Sequence, residues 1–517
     1  MTHKIKVFGG PGCGKTSVIR EFYQKSLLEG YKPEDITVLS FRKNAANDLI
    51  SATIPYAKVE EKELKKHVGT IHSICYRLAG YPEMLDKDDI RVFVERNNYG
   101  KYLKKSGTGQ VDAEESVYSG DLFDLYSWLR NTCTPFEDWK RYPGAGNIKM
   151  PANKVPEFLG KYDAYKKHIG KIDFSDMLQI VIDQKIPLDT PILMVDEFQD
   201  FTTQMYKIFE AWVPACEIVL VAADPNQSIY GFFGGSPDHY FNFDAVEIVR
   251  KETFRLPEQM LKFSHKILKY AGMTAPETKA QKVDSNTIFQ IRYDGKFPIH
   301  KEEFHLVRCN FQALGIALNL AKDGKVFSGL YGWTSEEINL ANAIISIKNG
   351  NVLTFGQLKA VINSFPAKVL GIKWSKNSFI KSLEKTYEPQ LQTGTGILNA
   401  DVLDILSSNN PTRKMVRDGK LFIAKINGIK NKSKSIIKEE VKNRAVLTIH
   451  GAKGLEAETV FLHTAITPRI QKMLLIPGRE LQEEARVWYV GATRAKKFLY
   501  LVTDAGRNYT FPGVPPC

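Results

Sequence analysis

The chain has 517 residues, 43% of them hydrophobic, and a formal net charge of +13 at pH 7. That length implies about three to four domains rather than a small binding module, and the charge points toward a polyanionic partner. No run of 18 apolar residues and no signal-peptide pattern is found, and the six cysteines form no C-x-x-C pair, so a membrane span, export, zinc and iron–sulfur sites are not expected; the location implied is cytoplasmic or nucleoid-associated.

In chain order, Ile5 to Phe8 reads as a buried strand and runs straight into GGPGCGKT at residues 9–16, which satisfies G-x-x-x-x-G-K-[ST]. Ser17 to Leu28 follows with helical spacing of Val18, Ile19, Phe22, Leu27 and Leu28. Strand, glycine-rich loop and helix together place backbone N–H groups and a helix N-terminus against anionic oxygens. Gly9, Gly12, Gly14, Lys15, Thr16 and Ser17 are therefore candidate nucleotide-binding residues, with Lys15 reaching the β- and γ-phosphates of ATP and Thr16 holding Mg2+. The plain alternative is a glycine-rich turn that binds nothing.

Residues 76–170 are charged and helical in pattern, with breaks at Ser106–Gly109 and Pro143–Gly146, and read as an insertion. Strand-like runs then resume at 191–195 and 218–223. The first ends in VDEFQD at 195–200, which puts Asp196 and Glu197 at a strand mouth, where open α/β sheets bind ligands. Asp196 suits the metal and Glu197 the attacking water; a solvated loop or helix cap is the competing interpretation. Further runs at 303–307, 446–449, 459–462 and 498–502 imply a second α/β core, itself interrupted by residues 331–443. From Pro411 to Arg444 there are eleven Lys or Arg against three acids, which suits salt-sensitive phosphate contact, with a solvated basic surface kept for solubility as an equal alternative.

The ordered strings GGPGCGKT, ITVLSFRKNAANDL (36–49), GTIHS (69–73), DEFQD, DPNQSIYGF (224–232), ETFRLP (252–257), LTIHGAKGLE (447–456) and EEARVWYVGATRA (483–495) resemble the superfamily-one helicases of the UvrD/PcrA/Rep type, over nearly the whole chain. The resemblance implies an α/β fold of two RecA-like parallel-sheet cores, each with an inserted, mainly helical accessory domain. The first core comprises residues 1–75 and 171–248 around the insertion 76–170, and the second comprises 249–330 and 444–517 around the insertion 331–443. It implies Gln227 as the γ-phosphate sensor, Arg255 and Arg494 as arginines offered by the second core, Phe254 stacking on the base and Glu456 near the ribose. Guanidinium forks suit the transferring phosphoryl group. For DNA, Phe41, Tyr230 and Phe232 are stacking candidates, with Thr70, His72 and His450 near the phosphate track or the core interface. Core packing is the competing account for each aromatic and histidine.

Two departures stand out. Only Met1 to Lys4 precede the first strand, where relatives carry an adenine-reading glutamine, and Phe232-Phe233 stands where relatives commonly have Trp-Arg, so one phosphate-facing arginine is missing. Arg255 and Arg494 are then expected to carry the transition-state charge alone. The activity implied is an ATP-dependent DNA helicase moving 3′-to-5′ on single-stranded DNA and acting at single-strand/duplex junctions, with replication or repair proteins as partners. A translocase that strips proteins without unwinding and an ATP-gated binding or loading switch are the alternatives. A fused nuclease is not expected.

Overall fold

The structure is a computed structural model describing the chain except for Met1, 42, 58, 106–117, 120, 285, 294–296, 299, 374, 387–397, 399, 409–418, 430–431, 433, 476 and 505–517. The Ser106–Gly109 break and residues 411–418 of the basic segment lie outside the described residues.

Strands among the described residues are, in chain order, β1 (His3–Gly9), β2 (Ile36–Ser40), β3 (Val68–Thr70), β4 (Lys104–Lys105), β5 (Tyr118–Ser119), β6 (Ile192–Asp196), β7 (Ile218–Ala223), β8 (Val246–Arg250), β9 (Glu252–Pro257), β10 (Lys279–Lys282), β11 (Ile288–Tyr293), β12 (Glu303–Val307), β13 (Ser328–Gly329), β14 (Arg444–Thr448), β15 (Ala457–His463) and β16 (Ala495–Asp504). Two six-stranded sheets result, ordered β3-β2-β6-β7-β1-β8 and β11-β16-β15-β12-β14-β13. Every pairing in both is parallel. The mixed α/β architecture with two parallel-sheet cores is as the motifs implied.

Alternation along the strands builds each core on two faces. In the first sheet Leu39, Leu193, Val195, Val219 and Val221 meet Phe209 and Trp212 on one side, while Val38, Met194, Leu220 and Ala222 meet Ile19 and Tyr23 of the helix Lys15–Leu28 on the other. The second sheet buries Leu306, Val460, Leu462, Leu499 and Leu501 in one cluster and Val307 and Val446 in another. The strand expected at Val446–Ile449 begins two residues earlier because Arg444 is buried and paired with Glu303 at the first rung of β12–β14.

Between β3 and β6, helices including Lys87–Arg96, Asp121–Asn131 and Val155–Ile169 close over their own apolar cluster of Phe93, Leu125, Leu129 and Phe158. Between β13 and β14, helices including Ser335–Lys348, Phe355–Ser364, Ala400–Ser407 and Gly419–Ile429 enclose Leu340, Ile344, Val361, Val402 and Ile405. The carboxyl ends of β1, β2, β3, β6 and β7 all open on one rim of the first sheet, because parallel strands share a direction. That rim carries the glycine-rich loop, Phe41, Thr70, the acidic pair and the 224–232 loop together.

Candidate nucleotide site and nucleic-acid face

The loop after β1 turns through Gly12 and Gly14, both with positive φ (73° and 77°), and Gly14 caps the helix Lys15–Leu28. A side chain at Gly12 would do more than strain the backbone: its Cβ would lie 2.4 Å from Arg255 Cβ and 2.8 Å from Thr253 Oγ1. The missing Cβ therefore lets β9 reach the loop, where Thr253 Oγ1 donates to Pro11 O (2.7 Å) and Phe254 N donates to Gly12 O (3.1 Å). Lys15 is folded back, its Nζ donating to Gly9 O (2.7 Å) and Gly10 O (3.2 Å).

Thr16 Oγ1 donates to Asp196 Oδ2 at 2.8 Å, across 180 residues of sequence. Burial, reinforced by the neighbouring Glu197 charge, pushes the Asp196 carboxyl up to about 6, against the pull of Thr16 and Lys15. Burial also pushes Glu197 up, but Lys453, Lys15, the Gln199 amide and Arg494 outweigh it and hold this carboxyl below its ordinary range. One carboxylate thus resists ionisation while its neighbour keeps its charge. A hydroxyl beside a buried carboxylate oxygen is the hard-oxygen donor set that Mg2+ takes when phosphates and water complete its shell. The residues present therefore fit a magnesium–nucleotide complex.

Glu197 adopts φ 56° at the turn into the short helix Phe198–Asp200, and its carboxylate accepts from Gln199 Nε2. Gln199 also reaches the next strand: its Oε1 accepts from Asp224 N (3.0 Å), and its carbonyl accepts from Ser228 Oγ (3.0 Å). Gln227 lies at the centre. Its Nε2 donates to Asp224 Oδ2 (2.8 Å) and its Oε1 accepts from Arg494 Nη2 (3.0 Å). Lys453 Nζ donates to the Gln227 carbonyl and pairs with Asp200, all three buried. Arg494 also donates to the carbonyls of Val490 and Leu455; burial, then the nearby Arg255 charge, brings its guanidinium down to about 10.

Arg255 and Glu456 are joined directly, Nη2 to Oε2 at 2.5 Å, and Phe254 beside them is 55% exposed. On the opposite flank of the 224–232 loop, Phe41, Tyr230, Phe232 and His450 form a continuous set of rings. Phe41 meets Tyr230 at 5.3 Å between centroids, Tyr230 meets Phe232 at 6.1 Å, and Phe232 meets His450 edge-on at 5.5 Å. Tyr230 OH donates to His450 O (3.3 Å), tying the two cores, and Phe232 is 54% exposed. Burial, with Arg308 and Lys453 nearby, lowers the His450 imidazole to about 3. Thr70 and His72 stand apart from this set. Thr70 Oγ1 accepts from Ser73 N at the start of the helix Ile71–Leu78, and His72, lowered to about 4 by burial, packs edge-on against Phe174.

Two family models match: the UvrD/REP helicase N-terminal domain over residues 1–246 and the UvrD-like helicase C-terminal domain over residues 404–505, with ETFRLP at 252–257 lying between the two matched ranges. The chain belongs to the UvrD/Rep family of superfamily-one helicases. It is similar to a probable DNA helicase of Mycoplasma pneumoniae, 23% identical over 97% of this chain and 81% of that protein. It is also similar to the ATP-dependent DNA helicase Rep of Buchnera aphidicola subsp. Acyrthosiphon pisum (22%, 96% and 91%) and to the ATP-dependent DNA helicase PcrA of Staphylococcus epidermidis (20%, 97% and 82%).

Sequence reasoning about this helicase missed Lys453, Asp200, Asp224, Gln199 and Tyr489, whose hydroxyl donates to Asp224 Oδ2 at 3.4 Å. Each lies inside a string already singled out, and the available signal for all but Tyr489 was a charged or amide side chain within that string. The basic segment needs correction. Lys425 is buried against Glu337, Arg444 is buried against Glu303, and Lys432, half-buried, pairs with Glu440, so three of its eleven cations are taken up by acids of the chain itself. Lys438 and Lys442, by contrast, are exposed on the helix Lys434–Asn443. No helix among the described residues is long and apolar enough to cross a membrane.

Proposed function

We propose that this helicase is an ATP-driven motor that moves along single-stranded DNA, 3′-to-5′ as its family resemblance implies, and separates duplex at single-strand/duplex junctions. The observation that carries this reading is the 224–232 loop. Within six residues it holds Gln227, bonded to Arg494 of the second core, and Tyr230 and Phe232 of the ring set. In this reading a change in phosphate occupancy at Gln227 is passed along the loop to Tyr230 and Phe232, the groups that would meet the bases.

In this reading Lys15 leaves the Gly9 and Gly10 carbonyls to meet the β- and γ-phosphates. Glu197, kept ionised by its surrounding cations, accepts a proton from the attacking water. Arg255 exchanges Glu456 for phosphoryl oxygens, and Arg494 neutralises charge from the opposite side. Thr16 and Asp196 would hold Mg2+, which would supply neutralisation of phosphate charge there. Phe254 covers the base and Glu456, once released, lies by the ribose. Phe41, Tyr230, Phe232 and His450 engage the strand, with Thr70 and His72 bordering its path. The two inserted helical regions, 76–170 and 331–443, act as accessory domains, and replication or repair proteins are the expected partners.

The test is steady-state ATP hydrolysis with and without a single-stranded oligonucleotide, with Lys15→Ala as the blank and Gln227→Ala as the coupling variant, followed by unwinding of a tailed duplex. Strong stimulation that Gln227→Ala abolishes, with strand displacement, supports the motor. Tight ATP-dependent DNA binding with little turnover would replace it by a switch, and stimulated turnover without strand separation by a protein-stripping translocase.

A further inference from the structure

Beside the glycine-rich loop lies a cation that no motif contains. Strand β8 is the outermost strand of the first sheet and pairs with β1 so that Arg250 is opposite Gly9, the last rung before the loop. Three side chains converge on the space left by the missing Cβ of Gly9: Arg250 Cβ at 3.1 Å, Cys13 Cβ at 3.1 Å and Lys15 Cγ at 3.4 Å. The guanidinium then extends over the loop. Arg250 Nε donates to Cys13 O at 3.4 Å, and its Nη2 is 3.9 Å from where a Gly14 Cβ would be, the same distance as Ser17 Oγ.

This placement gathers positive charge on the loop side of the helix. The N-terminus of the helix Lys15–Leu28 already presents unpaired N–H groups and the positive end of the helix dipole, and its first turn holds no acid. Lys15 adds a second charge. Among the described residues no carboxylate lies within 4.0 Å of Arg250, whereas its neighbour Lys251 has Glu277 at 3.2 Å. A half-buried guanidinium held against a helix N-terminus without a counter-ion is stable when an anion occupies the loop.

We propose that Arg250 is a nucleotide-binding residue that grips the α- and β-phosphates of the bound nucleotide from the β8 side of the loop, opposite Lys15. The inference rests on the reading of the loop as the ATP site. It also revises the expectation that Arg255 and Arg494 act alone. Those two approach from the second core, whereas Arg250 belongs to the same sheet as the loop and would hold a diphosphate whether the cores are apart or together. Phe233, in the short turn Gly231–Phe233, occupies the position where relatives commonly have arginine, and Arg250 supplies a guanidinium to the site from β8 instead.

The experiment is a titration of the full chain with a fluorescent ADP, with inorganic pyrophosphate as a competitor that has no base or ribose. Variants are Arg250→Ala, Arg250→Lys and Lys15→Ala, with nucleotide-free binding of a single-stranded oligonucleotide as the check on folding. Arg250→Ala is expected to weaken ADP and pyrophosphate alike by roughly tenfold or more, the scale of one charge-assisted contact, with partial recovery in Arg250→Lys. Unchanged affinity would overturn the proposal, as would a loss seen with ADP but not with pyrophosphate, which would assign the guanidinium to the base. If Lys15→Ala itself kept full nucleotide affinity, the reading of the loop would fail; if only Lys15→Ala lost affinity, the assignment of Arg250 alone would fail.

Discussion

Asp196 shows how a single carboxyl is tuned by its surroundings. Buried beside Glu197, it is raised to about 6, so its charge is disfavoured by folding. The sign follows: the cost is absent below the ordinary carboxylate range, grows as pH rises, and is fully present above about 6. Asp196→Asn removes that cost, so the variant is expected to raise the apparent melting temperature at pH 7 by a few degrees, with the gain shrinking toward pH 5, while hydrolysis is lost. Thermal scans of the nucleotide-free chain at both pH values check this. A variant less stable than the parent at pH 7 would mean that the Thr16 hydrogen bond outweighs burial.

At the scale of elements, the contact between the glycine-rich loop and β9 couples the P-loop to the segment carrying Arg255. Gly12 lies where the two cross, with positive φ and no room for a methyl group. In Gly12→Ala the new Cβ must displace Arg255 Cβ and Thr253 Oγ1, breaking the Thr253–Pro11 and Phe254–Gly12 hydrogen bonds. Overpacking of this kind costs about 1–3 kcal/mol, and where that cost falls on the arrangement that carries Arg255, kcat for ATP is expected to fall by about fivefold to about a hundredfold with secondary structure retained. Circular dichroism alongside steady-state kinetics would show it, and parental kcat would mean that β9 moves freely. A second joint is made by the region between β3 and β6: Asn131 Nδ2 donates to Phe233 O at 2.9 Å, linking the helix Asp121–Asn131 to the turn that follows Gln227.

For the whole molecule, charge placement matters more than total charge. Of the basic segment near the second sheet, Lys438 and Lys442 remain exposed, four residues apart on one helix. If they meet duplex phosphates, the double change to Gln should reduce the slope of log K against log salt by about 1.8, at about 0.9 per phosphate contact. Binding of a tailed duplex between low and moderate salt gives that slope, and no change would leave these lysines as a solvated surface. Elsewhere in the segment Lys425 and Arg444 close buried ion pairs and Lys432 a half-buried one, which illustrates the limit of counting.

The glycine-rich loop between strand and helix, the acidic pair at a strand end and the two α/β cores were legible in the residues, because each depends on local chemistry at fixed spacing: glycines for a tight turn, a terminal lysine after them, an apolar run ending in acids; Arg255 and Arg494 were singled out by the family resemblance alone. The convergence of Phe41, Tyr230, Phe232 and His450 was visible only as separate candidates. Which cations face inward, the pairing of Arg255 with Glu456, the bridge from Lys453 to Gln227 and the arrival of Arg250 beside Gly9 were decided by the tertiary structure. Parallel sheets bring the ends of distant strands to one rim, and sequence spacing carries no record of which strand lies next to which.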